Sequence, residues 1–248
     1  IYQGTKVMPF STALGTGLSN FEAGSNYQDV QDPSIIVLLK LLDEDAYLAI
    51  WTTTPWTLPS NLGVCVNANI TYLKVKDNAK NIEFYIAKNR FEAINKKDAL
   101  DIIEELPGKQ LAGKSYEPLF SYFNNLRDEG AFQVYTDDFV TTEDGTGLVH
   151  MAPAFGEDDA RVMQQAGIST LVCPIDNQGH FTTEVSDFAH QHVKDADKNI
   201  IKHIKALEQL YDHSTLVHSY PFCPRSDTPL IYKAIPSWYV NVESLKER

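Results

Sequence analysis

The sequence predicts an α+β chain, mostly β, with antiparallel sheets curling toward a barrel and helices at the periphery. Two observations carry that expectation. Between Ile35 and Lys88, short apolar runs (IIVLLKLL, YLAIWTT, LGVCV, TYLKVKD, IEFYIAK) alternate with the turn-forming clusters DED, PSN, NAN and DNAKN. Helical periodicity, by contrast, is confined to a few stretches. With 248 residues, 43% of them hydrophobic and 22% charged, the chain can bury a substantial core. No repeat, low-complexity tract or linker-like shift in composition divides it, so 1–248 is expected to be one domain.

Residues 1–33 mix Gly, Ser, Asn and Pro with short apolar pieces and read as extended or looping chain. The five strand-like runs follow. KKDALDIIEEL then places Ala99, Ile102, Ile103 and Leu106 at helical spacing before Pro107 and Gly108, which predicts a helix. Strand character returns in AFQVYTDDFV and GTGLVHMAP, and EDDARVMQQAG reads as a short helix ended by Gly167. Its acids Glu157, Asp158 and Asp159 suit a first turn, where unpaired N–H groups favour negative charge. LVCPID and HFTTEV are expected to be strands around an NQG turn. ADKNIIKHIKALEQLYD predicts a longer helix with Ile200, Ile204, Leu207 and Tyr211 on one face. From 218 to 248 the proline-punctuated chain reads as an extended return segment. Extended inbound (1–33) and outbound (218–248) segments would suit an insertion carried by a host domain. An opening at Ile1, without Met, also fits a fragment of something longer.

Composition excludes several classes. A net charge of −12, with no stripe of Lys and Arg, argues against tight independent binding to a nucleic-acid backbone. No apolar run approaches a membrane span and no secretory leader is visible. Cys65, Cys173 and Cys223 are odd in number and far apart, so reduced thiols are expected rather than a disulfide framework. His190, His192 and Cys223 invite a metal reading, but their spacing matches no ligand pattern; no metal and no cofactor are expected.

Two segments carry chemistry. IWTTTPWTLPSN, residues 50–61, sets three stiff β-branched side chains in a row, each with a hydroxyl that needs a partner once buried. About a hundred residues later, GTGLVHMAPAFGEDD combines flexible glycines, His150 in a strand and a carboxylate cluster opening a helix. Either segment alone has an ordinary structural reading, as a surface strand or a helix cap. Together they suggest a site.

Taken in order, KVMPFST with LSNFEA, WTTTPWTLPSN, GTGLVHMAPAFGEDD and HSYPFCPRSDTPLIYKAIPSWYV closely resemble the editing domain of isoleucyl-tRNA synthetases, the large insertion in their catalytic core. The resemblance runs nearly end to end. Sibling domains of valine and leucine synthetases typically carry an Arg where Thr54 stands; ALGTGLSN departs from the family in lacking a proline before LSN. The resemblance implies the synthetase editing-domain fold and hydrolysis of misattached valine from the 3′-terminal adenosine of isoleucine tRNA, with valyl adenylate a second candidate. A hydrophobic pocket distinguishes one methylene by only about 10- to 200-fold, a figure known for isoleucine against valine and not obtained from this chain, so a second, smaller sieve is needed.

By that analogy Thr52, Thr53 and Thr54 would hydrogen-bond the ribose, the ester or the attacking water, and Asp159 would hold the substrate α-ammonium. His150 and Trp56 would wall a side-chain cavity too small for isoleucine; Trp51 and Asn61 are weaker candidates, equally readable as a core aromatic and a turn residue. A triad with Thr53 as nucleophile and His150 as base is a further alternative. The implied partners are the 3′ end of the aminoacylated tRNA and the remainder of the synthetase, in a monomer of eukaryotic cytosolic type. Editing domains of valine or leucine synthetases, and a docking module without catalysis, are the competing readings. Aminoacylation by this stretch is not expected, because HIGH-like and KMSKS-like motifs are absent.

Overall fold

The computed structural model describes residues 1–96 and 99–242. Its strands are β1 (Tyr2–Ser11), β2 (Thr16–Gly17), β3 (Tyr27–Lys40), β4 (Tyr47–Thr52), β5 (Gly63–Val66), β6 (Thr71–Asp77), β7 (Ile82–Ala87), β8 (Leu100–Pro107), β9 (Gln133–Thr136), β10 (Val149–Met151), β11 (Leu210–Pro221) and β12 (Ile231–Tyr239). The α-helices are α1 (Asn20–Ala23), α2 (Phe91–Ile94), α3 (Glu157–Gln165) and α4 (Val193–Ala206). The large sheet runs β8-β6-β7-β4-β10-β5-β9, with β3 joining β4 to β11; β12-β1-β2 form a separate ribbon. The fold is mostly β with few helices, as the alternating runs predict.

Its centre differs from an all-antiparallel sheet: β4 is parallel to both β7 and β10, and β5 is parallel to β9. That matters for function. Parallel neighbours end on the same edge, so the chain leaving β4 and the chain leaving β10 emerge side by side, although Trp51 and Val149, paired across them, are far apart in sequence. The main core lies beneath this centre, with Ile50, Trp56, Leu62, Val64 and Ala154 in one buried cluster.

Four sequence expectations are corrected. The predicted helix over KKDALDIIEEL is instead edge strand β8, at whose start Asn95 Oδ1 accepts from the N–H groups of Ala99 (2.9 Å) and Leu100 (3.0 Å). Lys97 and Asp98 lie outside the described residues. Only Leu100 and Leu106 of the strand are well buried, while Ile102 and Ile103 face solvent, so the apparent helical spacing reflects no apolar face; the open edge of β6 sets the outcome. Asp101, Glu104 and Glu105 then leave the new edge charged, a poor template for further pairing.

Residues 1–33 are more regular than expected. β1 pairs with β12 over nine positions, and β3 already begins at Tyr27. Pro33 is tolerated because the β4 ladder begins only at Ile35, leaving β3 a partner on one side there. LVCPID and HFTTEV form no strands, only isolated bridges between Ile175 and Phe181 and between His180 and His192, because Asp176 Oδ1 accepts from the amides of Gln178 and His180 and closes a tight turn. The long helix stops at Ala206, six residues early: Glu208 adopts φ +59 and the chain enters β11, where the ladder to β3 outweighs one more helical turn. Leu207 is therefore exposed, and the Tyr211 hydroxyl, on a strand, donates to Asp77 Oδ2 at 3.1 Å.

The ribbon is fastened to the rest of the molecule beside the centre. Ala234 N–H on β12 donates to Ala154 O at 2.7 Å, and the buried Lys233 ammonium donates to the carbonyls of Ile175 (3.2 Å) and Asp176 (2.9 Å). Among the described residues no helix is long and apolar enough to cross a membrane.

Candidate active site

A cavity of about 360 Å³ opens where β4 and β10 end. Thr52, Thr53, Thr54, His150, Phe155 and Asp159 are all among the residues that line it. The two chemistry-bearing segments thus share one hollow.

On the threonine side, Thr52 Oγ1 accepts from Thr54 N–H at 3.0 Å and lies 3.3 Å from Thr54 Oγ1. Pro55–Ser60 then form a 3₁₀ turn, with Pro55 at its first position, where a missing N–H costs nothing. Thr53 is half-buried, and its hydroxyl makes no hydrogen bond to protein among the described residues, so it faces the cavity available to a ligand or water.

His150 is held from both ring nitrogens. Thr57 Oγ1 donates to Thr54 O at 2.8 Å, and a hydroxyl has one proton, so at its 2.8 Å contact with His150 Nε2 it must accept. Nε2 therefore carries the proton, and Nδ1 accepts from Asn61 Nδ2 at 3.3 Å; this tautomer is assigned from the network. Asn61 is fixed in turn by the Tyr116 hydroxyl, which donates to Oδ1 at 2.6 Å, and by its own bond to Gly63 O at 2.8 Å. Burial pushes the His150 pKa down to about 4, so the ring is neutral at physiological pH. A neutral imidazole whose acceptor nitrogen is engaged by Asn61 is not placed to take a proton from Thr53, which removes the geometric basis for a triad.

Asp159 turns back from the first turn of α3, and its Oδ2 accepts from Ala152 N–H at 2.9 Å. Gly156 makes this possible: a Cβ there would lie 2.5 Å from Oδ2. Burial raises the carboxyl to about pKa 6, against the pull of the Ala152 amide. Among the described residues no basic side chain is bonded to it; the nearby Arg161 serves Asp137 and Asp158 instead.

The remaining candidates divide. Trp51 lines the cavity, with Nε1 donating to Ser34 Oγ at 2.9 Å; Gly145, at φ +67, packs against its ring where a Cβ would come within 2.7 Å. Trp56 does not line the cavity. It is buried one layer behind, edge-on to Phe155 at 4.9 Å between centroids, and Phe155 presents the aromatic wall that sequence reasoning gave to Trp56. Asn61 also lies off the lining, acting on His150 from behind. Sequence reasoning missed Thr57 and Phe155, though both sit inside the quoted motifs, and it missed Tyr116 and Asp197, for which no local signal exists. Among the described residues no cluster of three or more His, Cys, Asp or Glu side chains is arranged to hold a metal, and the cysteines are free thiols.

The chain is a member of the family of class I tRNA synthetases for I, L, M and V, whose profile matches residues 1–248. Within that family its relatives include isoleucine–tRNA ligases. It is 53% identical to the cytoplasmic isoleucine–tRNA ligase of Mus musculus and 51% identical to that of Caenorhabditis elegans, covering all of this chain and 20% and 22% of those proteins. The isoleucine–tRNA ligase of Bdellovibrio bacteriovorus is 49% identical, again over the whole chain and 24% of that protein, so bacterial relatives stand nearly as close as cytoplasmic ones. The chain thus spans about a fifth to a quarter of these relatives' length.

Its fold is that of synthetase editing domains. The crystal structure of GlLeuRS-CP1 superposes with a TM-score of 0.58 at 15% identity, covering 73% of this chain and 98% of that one. The editing domain of the P. knowlesi cytosolic leucyl-tRNA synthetase gives 0.54 at 11% identity, covering 75% and 96%.

Proposed function

We propose that this chain edits within an isoleucine–tRNA ligase by hydrolysing valine from the 3′-terminal adenosine of isoleucine tRNA. One observation carries the reading: Thr53, with its unengaged hydroxyl, and Asp159, with its uncompensated carboxylate, face the same cavity. An aminoacyl ester differs from an ordinary ester in its free ammonium, and a sheltered carboxylate lacking an internal cation is the partner such a group requires. With the ammonium held at Asp159, the acyl carbon lies toward the threonines. Their hydroxyls donate to the ester or ribose oxygens and orient a water. Water adds to the acyl carbon, the bond to the ribose oxygen breaks, and that oxygen leaves with a proton, giving valine and free tRNA. The work is placement; no side chain need become a nucleophile.

Size selection falls to His150 and Phe155, which are fixed by the Asn61–Thr57 network and by Trp56. Rigid walls admit a three-carbon side chain and clash with one more methylene. Valyl adenylate, with the same acyl and ammonium groups, fits the same requirement.

The test is a deacylation panel with the full-length protein and isoleucine tRNA carrying valine, threonine, norvaline or isoleucine. Valine should be cleared fastest and isoleucine spared. Preference for threonine or norvaline would assign the cavity to a valine- or leucine-type editor, and binding of the terminal adenosine without turnover would make it a docking module.

A further inference from the structure

A helix or 3₁₀ turn normally caps itself: the side chain at the N-cap accepts from the N–H two or three residues on. In the Pro55–Ser60 turn the N-cap is Thr54; the Thr57 amide already donates to Thr54 O at 3.0 Å, which leaves the amide of Trp56 for the Thr54 hydroxyl. Thr54 makes no such bond. Its Oγ1 points instead toward the hydroxyls of Thr52 (3.3 Å) and Thr57 (3.5 Å), in the cavity. The Trp56 amide is taken by a residue 141 positions away: Asp197, buried on α4, whose Oδ1 accepts it at 2.8 Å.

We infer that Asp197 is a positioning residue for editing, supplying from α4 the cap that Thr54 would otherwise give, and so keeping the Thr54 hydroxyl turned into the cavity. This rests on the editing function proposed above. The site needs a full set of hydroxyls at the end of β4, whereas local turn chemistry would withdraw one of them to satisfy its own backbone. A cap brought in from another element removes that conflict. The arrangement is costly on its own terms, because burial pushes the Asp197 carboxyl up to about 7, with Lys194 the neighbouring charge that opposes the shift. A carboxylate kept in such surroundings for one amide is explained by what the amide would otherwise recruit.

The experiment is a double-mutant cycle in the full-length protein, read by single-turnover and steady-state clearance of valyl-tRNA. Asp197→Ala should lower kcat about tenfold with little change in KM, since placement at the reacting centre is lost and not uniform binding. Asp197→Asn, which retains a side-chain oxygen for the cap, should hold kcat within about threefold of the parent. Thr54→Ala should lose as much as Asp197→Ala, and the double variant no more than either, because both remove one hydroxyl from one place.

An unchanged kcat in Asp197→Ala, multiplying losses in the double variant, or a failure of Asn to rescue would each overturn the inference. Should Asp197→Ala fail to fold, Asp197→Asn decides alone: a folded protein with kcat reduced about tenfold or more refutes the capping role. A crystal structure of a folded Asp197 variant reads the same inference without substrate. Thr54 Oγ1 should rotate to within hydrogen-bond distance of Trp56 N in Asp197→Ala and remain in the cavity in Asp197→Asn. If the rotation occurs but the parent protein clears no ester, the capping inference stands and the editing function falls.

Discussion

Glu44 and Asp159 are both half-buried carboxylates, and the two regions that hold them teach where this molecule expects something from outside. At the turn after β3, Glu44 accepts from Lys114 (2.6 Å), Lys74 (3.1 Å) and the Tyr85 hydroxyl (3.0 Å). Burial alone would raise its pKa, but those donors outweigh it and hold the group below the usual carboxylate range. At the cavity, burial prevails and Asp159 stands at about 6 with one backbone amide as its donor. The first carboxylate is complete within the protein. The second has one backbone amide as its donor, and under the proposed function a substrate cation completes it.

The sharpest way to break that contrast is to remove each acid and read activity. Asp159→Ala should lower kcat/KM for valyl-tRNA by about 100-fold, the scale of a lost charge-assisted bond, while Glu44→Gln leaves it unchanged. Equal losses would erase the distinction between the two regions. Next in size is the effect of His150→Ala, which should enlarge the cavity and bring isoleucyl-tRNA into the substrate range; an unchanged preference for valine would move the size limit to Phe155.

The pH profile sharpens the comparison further. Binding of an ammonium needs Asp159 ionised, so kcat/KM should fall with unit slope as pH drops below about 6. It should also fall once the substrate amine loses its proton, for an α-amino group at roughly 7.7–8.0. The acidic limb should vanish in Asp159→Asn, with low residual activity throughout.

Stability gives the smallest effects, of opposite sign in the two regions. A folded-state pKa above the unfolded one means the ionised Asp159 costs stability at neutral pH, and the cost disappears once both states are protonated. Asp159→Asn should therefore gain about 1–3 kcal/mol above pH 6 in thermal melts, a gain that fades below about pH 4. Glu44, lowered in the fold, contributes stability above its unfolded pKa that is lost as pH falls. Glu44→Gln should cost about 1–2 kcal/mol at pH 7 and progressively less in acid.

Much of the candidate site's lining is legible in the sequence because it lies in two dense local motifs, and a Thr run or an acid at a helix start is visible without coordinates. What supports those groups is not. Asp197 is one polar position in an amphipathic helix, and nothing nearby distinguishes it from the solvent-facing Asp195 two residues before it. Tyr116 reads as an ordinary core aromatic until its hydroxyl is seen on Asn61. The fold errors have a similar origin. Ala99 to Leu106 carries helical spacing, but an open sheet edge recruits it from Leu100 on as β8; residues 207–212 continue an apolar period, but the helix ends at Ala206 and β3 claims the chain from Leu210 as β11. Local preference yields wherever a ladder offers many backbone bonds at once.

One consequence of the β4–β10 pairing concerns the life of the chain before it is folded. Trp51 meets Val149 only after nearly a hundred intervening residues are in place, and the cap on Trp56 comes later still, from position 197. Contacts that close over such separations form late and slowly, so the cavity is assembled only after most of the chain is available.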